Sequence, residues 1–252
     1  MIVGDNALIL EVKWCGFDYG ETIMNAENLR NAVVLGDIYK TLGRPELIPG
    51  KIRKYRILKE ECGTYPHIHE GHKEELFEFV LGNDLEAIEL FKQKEQELLD
   101  TGEGAEDALV YLCSEGIEVY MVSEMKQIPD PLGKDHITRF LKRQGIAKYF
   151  DGLITPMGKI DFRTNAVDSK YKGSTKAEGT IYRLIVKELK ERGIEPHEAV
   201  MVGDRPNTDI NPAHERGFKT IQYKGFTDLG KSYADAVIHS FGELKRILRK
   251  KP

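Results

Sequence analysis

The run Ala199-Val200-Met201-Val202-Gly203-Asp204-Arg205-Pro206-Asn207-Thr208-Asp209-Ile210 decides how this chain folds. Its opening residues are apolar without polar alternation, the pattern of a short strand buried on both faces. The strand stops at Gly203-Asp204, and a second carboxylate, Asp209, stands five residues further on. Upstream, Ile181, Leu184, Ile185 and Leu189 share one helical face, and Gly193 suits the left-handed position that often ends a helix. The unit is therefore amphipathic helix, glycine, buried strand.

The same unit recurs on either side. Ala105, Ala108, Leu109 and Leu112 form a helical face followed by Gly116 and the run Ile117-Glu118-Val119-Tyr120-Met121-Val122. Ile137, Phe140 and Leu141 repeat it, closed by Gly145 and followed by Gly152-Leu153-Ile154. A last pass ends at Gly217 before Thr220-Ile221-Gln222-Tyr223. Strands alternating with helices at this spacing predict an α/β fold with a Rossmann-like, mainly parallel sheet. The stretch Ala236-Val237-Ile238, then a helix to Leu248, adds one edge element.

Residues 24–104 read differently, as charged helical patterns replace the strand signals. Helices are expected over 25–42, 70–81 and 84–100, the last capped by Asp84 and broken by Thr101-Gly102-Glu103-Gly104. The expected organisation is a core of residues 1–23 and 105–252 interrupted by a helical insertion, 24–104. The segment from Lys159 to Lys176, with Phe162, Val167 and Tyr171 among polar residues, suits a small hairpin or a flap near Lys176.

A net charge of −4, from 37 basic and 41 acidic residues without a long basic stripe, points to neither nucleic acid nor membrane as partner. No apolar run approaches the length of a membrane span, and no signal-peptide pattern opens the sequence. Cys15, Cys62 and Cys113 lack metal-ligand spacing, and Cys15 and Cys113 lie in apolar segments that suit buried thiols. A reducing cytoplasm is the expected location.

In an open parallel sheet, ligands gather at the carboxyl ends of the strands. The first strand, Val12 to Phe17, stops at Asp18-Tyr19-Gly20-Glu21-Thr22, and the next stops at Ser123. Lys176 precedes the helix beginning near Thr180, and the strand before Gly203 leads into Asp204 and Asp209. Carboxylates, a hydroxyl and an ammonium on one sheet edge can hold a hard cation and neutralise an anion beside it.

These residues, in this order, resemble the haloacid dehalogenase (HAD) superfamily. Gly203-Asp204-Arg205-Pro206-Asn207-Thr208-Asp209 matches its GDxxxxD signature, and Phe17-Asp18 with Thr22 matches its first motif. Ser123 stands for the family's phosphoryl-binding Ser/Thr and Lys176 for its lysine. The resemblance implies a phosphatase acting on a small phosphorylated substrate, with Asp18 forming an aspartyl-phosphate. It also implies Mg2+ held by Asp18, the Gly20 carbonyl and Asp204, with Asp209 ranked below Asp204, and a cap inserted after the first motif. One departure matters: the family's phosphatases read DxDGT, but here Gly20 replaces the second aspartate and Glu21 the glycine. The usual general acid is missing, a loss of about a hundred to ten thousand in rate. Glu21 can substitute for it, the substrate can carry a good leaving group such as an acyl phosphate, or turnover is weak and the protein is a binding scaffold. Dehalogenases and phosphonoacetaldehyde hydrolase also lack that aspartate; the former need no magnesium, and the latter relies on a cap lysine not assignable here.

Each residue alone also has a plain structural reading. Asp18 suits an N-cap, Ser123 a turn, Asp209 a loop brace and Lys176 a solvated surface. Joint placement at successive strand ends favours the functional reading. His67, His69 and His72 match no closed metal site and read as solvated surface; the basic run Lys51-Ile52-Arg53-Lys54-Tyr55-Arg56 reads as a solvated helix face, with an anion-binding cap surface as the alternative.

Overall fold

The computed structural model describes residues 8–26, 28–63, 68 and 72–252. Contacts divide the chain into two compact units, one reaching Met24 and resuming at Thr101, the other Asn25–Asp100.

In the first unit the expected strand from Val12 to Phe17 is two strands, β1 (Leu10–Val12) and β2 (Trp14–Phe17). The break at Lys13 has a backbone cause. Lys13 N donates to Glu198 O at 2.7 Å and its carbonyl accepts from Glu118 N, so β2 begins fully paired, while β1 turns aside. After β3 (Met24–Asn25) and β4 (Asp100–Thr101), where the chain passes between units, come β5 (Glu118–Val122), β6 (Gly152–Thr155), β7 (Gly158–Asp161) and β8 (Val167–Asp168). The set closes with β9 (Ala199–Gly203), β10 (Lys219–Tyr223), β11 (Ala236–Ile238) and β12 (Leu248–Lys250). The main sheet has the order β11-β10-β9-β2-β5-β6-β7-β8. It is parallel from β11 to β6, and β7 and β8 add an antiparallel hairpin. That hairpin occupies part of the 159–176 segment.

A helix running to Leu248 is not what forms. The α-helix covers only Leu244–Ile247, and β12 pairs in parallel with β1, which buries Leu248 against the otherwise open strand. Cys113, expected inside, is exposed on the outer face of the helix Ala105–Ser114, whose Ala105, Ala108, Leu109 and Leu112 are buried instead.

One core cluster lies beneath the helix Thr180–Glu191, where Ile181, Tyr182, Ile185 and Leu189 meet Trp14, Tyr120, Met201 and Phe218. Trp14 stacks on Tyr120 at 5.8 Å between centroids and meets Phe218 edge-on at 5.9 Å. Large side chains buried this way stabilise by about 1.5–3 kcal/mol each, so this cluster fixes the strand ends that follow it.

The second unit is helical: Asn31–Thr41, Ile48–Cys62 and Leu85–Leu98, with Lys73–Glu75 continuing into a π-helical turn, Leu76–Leu81. Asp84 caps the last long helix, accepting from Ala87 N at 3.2 Å. The helix expected from residue 25 starts only at Asn31, since Ala26–Leu29 closes a turn through Leu29 N to Ala26 O. Ile48–Cys62 contains the basic run read as a helix face; it buries only Tyr55 and Leu58, too few apolar positions for its bounds to be read from periodicity. Lys51 within it is not simply solvated: Nζ donates to Leu81 O at 2.9 Å and lies over the Tyr39 ring. His72 pairs with Glu75 at 3.1 Å on the surface, and His67 and His69 fall outside the described residues. Among the described residues no helix is long and apolar enough to cross a membrane.

Candidate active site

The central strands β9, β2 and β5 run in parallel register, Phe17 opposite both Val202 and Met121. Their next residues therefore emerge side by side at the carboxyl edge. Asp18 N donates to Val202 O at 2.8 Å, and Ser123 N donates to Ile154 O at 2.9 Å, so both backbones are still held as the strands end. Asp18, Ser123, Asp204, Asp209 and Lys176 are all buried.

Lys176 is 1% exposed, which removes the solvated-lysine reading. Its Nζ lies 2.5 Å from Asp18 Oδ1 and 2.5 Å from Asp209 Oδ1. The contact with Asp18 is a directed hydrogen bond, and the one with Asp209 is an ion pair without that alignment. Burial alone pulls the ammonium pKa down; Asp18 and Asp209 outweigh it and hold the group charged, well above its ordinary value. Lys176 N also donates to Glu124 Oε2 at 2.8 Å, which ties the lysine to the residue after Ser123.

Asp209 does what a loop brace does as well. Its Oδ2 accepts from Arg205 N at 2.9 Å, and Gly203 allows this, because a Cβ there would lie 2.4 Å from Asp209 Cβ. Ser123 likewise makes a turn bond, its Oγ accepting from Met125 N at 3.1 Å, which leaves its hydroxyl hydrogen to donate elsewhere. Thr22 Oγ1 donates to Asp204 Oδ1 at 3.3 Å.

The turn after Asp18 closes through Met24 N to Tyr19 O at 2.8 Å and Glu21 N to Met24 O at 2.9 Å. Its left-handed residue is Glu21, at φ +56°, and not Gly20. A side chain in that region costs about 1–2 kcal/mol relative to glycine. The Glu21 charge is felt at Tyr223, whose pKa is pushed up to about 12 by burial, then by Glu103 and Glu21. The carboxylates that perturb Asp204 are Asp209 and Asp18.

Carboxylate oxygens of Asp18, Asp204 and Asp209 lie within 4.8 Å of one another. Among the described residues the buried Lys176 ammonium faces these three acids, and their excess shows at Asp204. Burial first, then Asp209 and Asp18, push its pKa up to about 9. A compact, all-oxygen, over-acidic cluster fits a hard divalent cation such as Mg2+. In chelator-treated protein this upward shift favours the protonated form of Asp204. Its pKa is raised on folding, so its contribution to stability is fully present below the unfolded-chain value of about 4. That contribution is lost as pH rises through about 9. Thermal denaturation without metal should show stability falling across this window, and Asp204→Asn should flatten the slope. A wild type equally stable throughout would contradict the coupling.

Three contributors were missed in the sequence: Glu124, Thr22 as a partner of Asp204, and Gln222. Only Gln222 carried a signal, as a polar residue within an otherwise buried strand end.

A parallel sheet with buried carboxylates and a lysine at its carboxyl edge defines a Rossmann-like enzyme core. The family model for haloacid dehalogenase-like hydrolase matches residues 13–216, and the chain belongs to that family of hydrolases. It is 32% identical over 127 residues to a glyceraldehyde 3-phosphate phosphatase from Pyrococcus furiosus; the match covers 44% of this chain and 50% of that protein. The matched region thus spans half the length of this curated relative. Among solved structures, a HAD phosphatase from Thermococcus onnurineus is 25% identical, with a TM-score of 0.60 over 93% of this chain and 97% of that one. An L-2-haloacid dehalogenase from Xanthobacter autotrophicus shares the fold at 14% identity, with a TM-score of 0.54 over the same shares of the two chains. One fold thus hosts both chemistries, and the site must discriminate between them.

Proposed function

We propose that the protein is a cytoplasmic, magnesium-dependent phosphatase acting on a small phosphorylated metabolite, with Asp18 as nucleophile and Asn25–Asp100 as a cap. The observation that carries this reading is the buried Lys176 ammonium, 2.5 Å from Asp18 Oδ1 and beside the Asp204–Asp209 pair. A cation fixed there can hold a nonbridging phosphoryl oxygen while a carboxylate oxygen approaches phosphorus. The acidic cluster favours phosphoryl over dehalogenase chemistry, and the name of the Pyrococcus relative supports a phosphorylated metabolite.

In this mechanism an Asp18 oxygen attacks phosphorus as the bond to the leaving oxygen breaks, giving an aspartyl-phosphate. Water then attacks the phosphorus, inorganic phosphate departs and the Asp18 carboxylate is restored. Ser123 Oγ and Lys176 Nζ bind nonbridging oxygens, and Asp209 braces Lys176. Asp18, the Gly20 carbonyl and Asp204 would hold Mg2+, with Asp209 at the margin of the set. When bound, the ion supplies positive charge that offsets charge on the phosphoryl group. Magnesium titrated into chelator-treated protein should raise its melting temperature, and Asp204→Ala should remove most of the effect. No stabilisation of wild type, or an equal effect in Asp204→Ala, rules out this metal site.

Gly20 supports a bias toward good leaving groups, because position 20 offers no carboxyl to protonate a departing alkoxide. The rate should therefore fall steeply from acyl through aryl to alkyl phosphates. Gly20→Asp should raise alkyl phosphate hydrolysis on the order of a hundredfold and leave acyl phosphates little changed. The backbone does not forbid this substitution, since Glu21 holds the left-handed position; Gly20→Ala is the control. A wild type that treats alkyl and acyl phosphates alike, and loses this in Glu21→Gln, would make Glu21 the acid. If neither wild type nor Gly20→Asp turns over any phosphorylated compound while magnesium still binds, the protein is a binding scaffold.

A further inference from the structure

Gln222 lies in β10, 1% exposed, and its amide takes no part in the reaction proposed above. A primary amide withdrawn from water destabilises the fold unless its donors and acceptor find partners. Here Nε2 donates to Asp204 O at 3.3 Å and to Gly230 O at 3.2 Å, while Oε1 accepts from Ser232 Oγ at 2.8 Å.

The carbonyl that Gln222 holds belongs to the peptide joining Asp204 to Arg205. The N–H of that same peptide, on Arg205, donates to Asp209 Oδ2 at 2.9 Å. One peptide plane is therefore gripped at both ends, by Gln222 and by Asp209. Asp209 passes the constraint on, since its other oxygen lies 2.5 Å from Lys176 Nζ, itself 2.5 Å from Asp18. Thr22 holds Asp204 at its carboxylate, so the residue is fixed at both side chain and backbone. Rotation of this peptide would withdraw its N–H from Asp209 and release one carboxylate of the acidic cluster, and partners that orient such carboxylates matter to metal affinity.

We infer that Gln222 is a positioning residue for the magnesium site: by holding the Asp204 carbonyl it fixes the peptide whose N–H orients Asp209 beside Asp204, and through Gly230 and Ser232 it ties that arrangement to the loop after β10. The inference rests on the magnesium reading given above. It assigns a function to a buried amide whose hydrogen bonds run from the loop to the acidic cluster.

The test is calorimetric titration of Mg2+ into chelator-treated wild type, Gln222→Met and Ser232→Ala, with thermal denaturation of each metal-free protein alongside. Gln222→Met keeps the volume and removes every hydrogen bond. Its magnesium affinity should fall about tenfold or more, the usual effect of losing a partner that orients a metal ligand. Ser232→Ala removes only the donor to Oε1 and should show a smaller loss in the same direction. A merely structural amide gives a different result: lower metal-free stability with an unchanged magnesium dissociation constant, and this overturns the inference. Should Gln222→Met not fold, Ser232→Ala decides alone, an unchanged dissociation constant counting against the role. A wild type that binds no magnesium overturns both this inference and the metal site beneath it, whereas failure confined to the variants leaves the metal site standing.

Discussion

Asp18→Asn should lower phosphatase turnover on the order of ten thousandfold or more while leaving the fold intact. An amide oxygen is a poor nucleophile, and among the described residues the other carboxylates of the cluster are not placed to replace it. Asp204 and Asp209 are committed elsewhere, the first to Thr22 and the second to Lys176 and Arg205 N. The fold should survive because the asparagine oxygen can still accept from Lys176 Nζ, as Asp18 Oδ1 does at 2.5 Å. Steady-state hydrolysis of an aryl phosphate with magnesium measures the loss, and a circular dichroism melt checks folding. Activity within tenfold of wild type would remove Asp18 from the nucleophile's role.

Lys176→Met should act on both stability and chemistry. Breaking a buried ion pair by removing one partner typically costs about 3–5 kcal/mol, since the remaining charge stays buried without compensation. Here two carboxylates are left facing each other, so the full cost is expected, and denaturant unfolding at neutral pH reads it. Acidification or magnesium should restore part of the stability, because each neutralises the stranded acids. Turnover should fall on the order of a hundred- to a thousandfold through loss of the donor to the phosphoryl oxygen. Lys176→Arg should not restore it, as a planar fork cannot reproduce a point charge seated between Asp18 and Asp209. A variant as stable as wild type at neutral pH would show that the Lys176 contacts contribute nothing net.

The helix, glycine and strand rhythm made the sheet legible, because each parallel strand is a short apolar run that periodicity exposes. The same reasoning failed wherever backbone pairing decided the outcome. Nothing in Lys13 announces the break between β1 and β2, and nothing in Leu248-Arg249-Lys250 announces a strand. The first follows from the bonds of Lys13 to Glu198 and Glu118, and the second from pairing with β1, more than 230 residues away. The extent of the helix Ile48–Cys62 was obscured for a different reason, since so few of its side chains are buried that no apolar stripe forms.

By itself the sequence determined the family, most of the strand ends and the candidates Asp18, Ser123, Lys176, Asp204 and Asp209, since each stands beside a readable element. Only the tertiary structure decided how their side chains contact one another. It placed the Lys176 ammonium between Asp18 and Asp209, gave Asp209's second oxygen to Arg205 N, and assigned the left-handed turn position to Glu21 rather than Gly20. It also tied Gln222 to the Asp204 carbonyl. These are choices among hydrogen-bond partners far apart in the chain, made by burial, which forces every polar group to find a partner that local sequence does not specify.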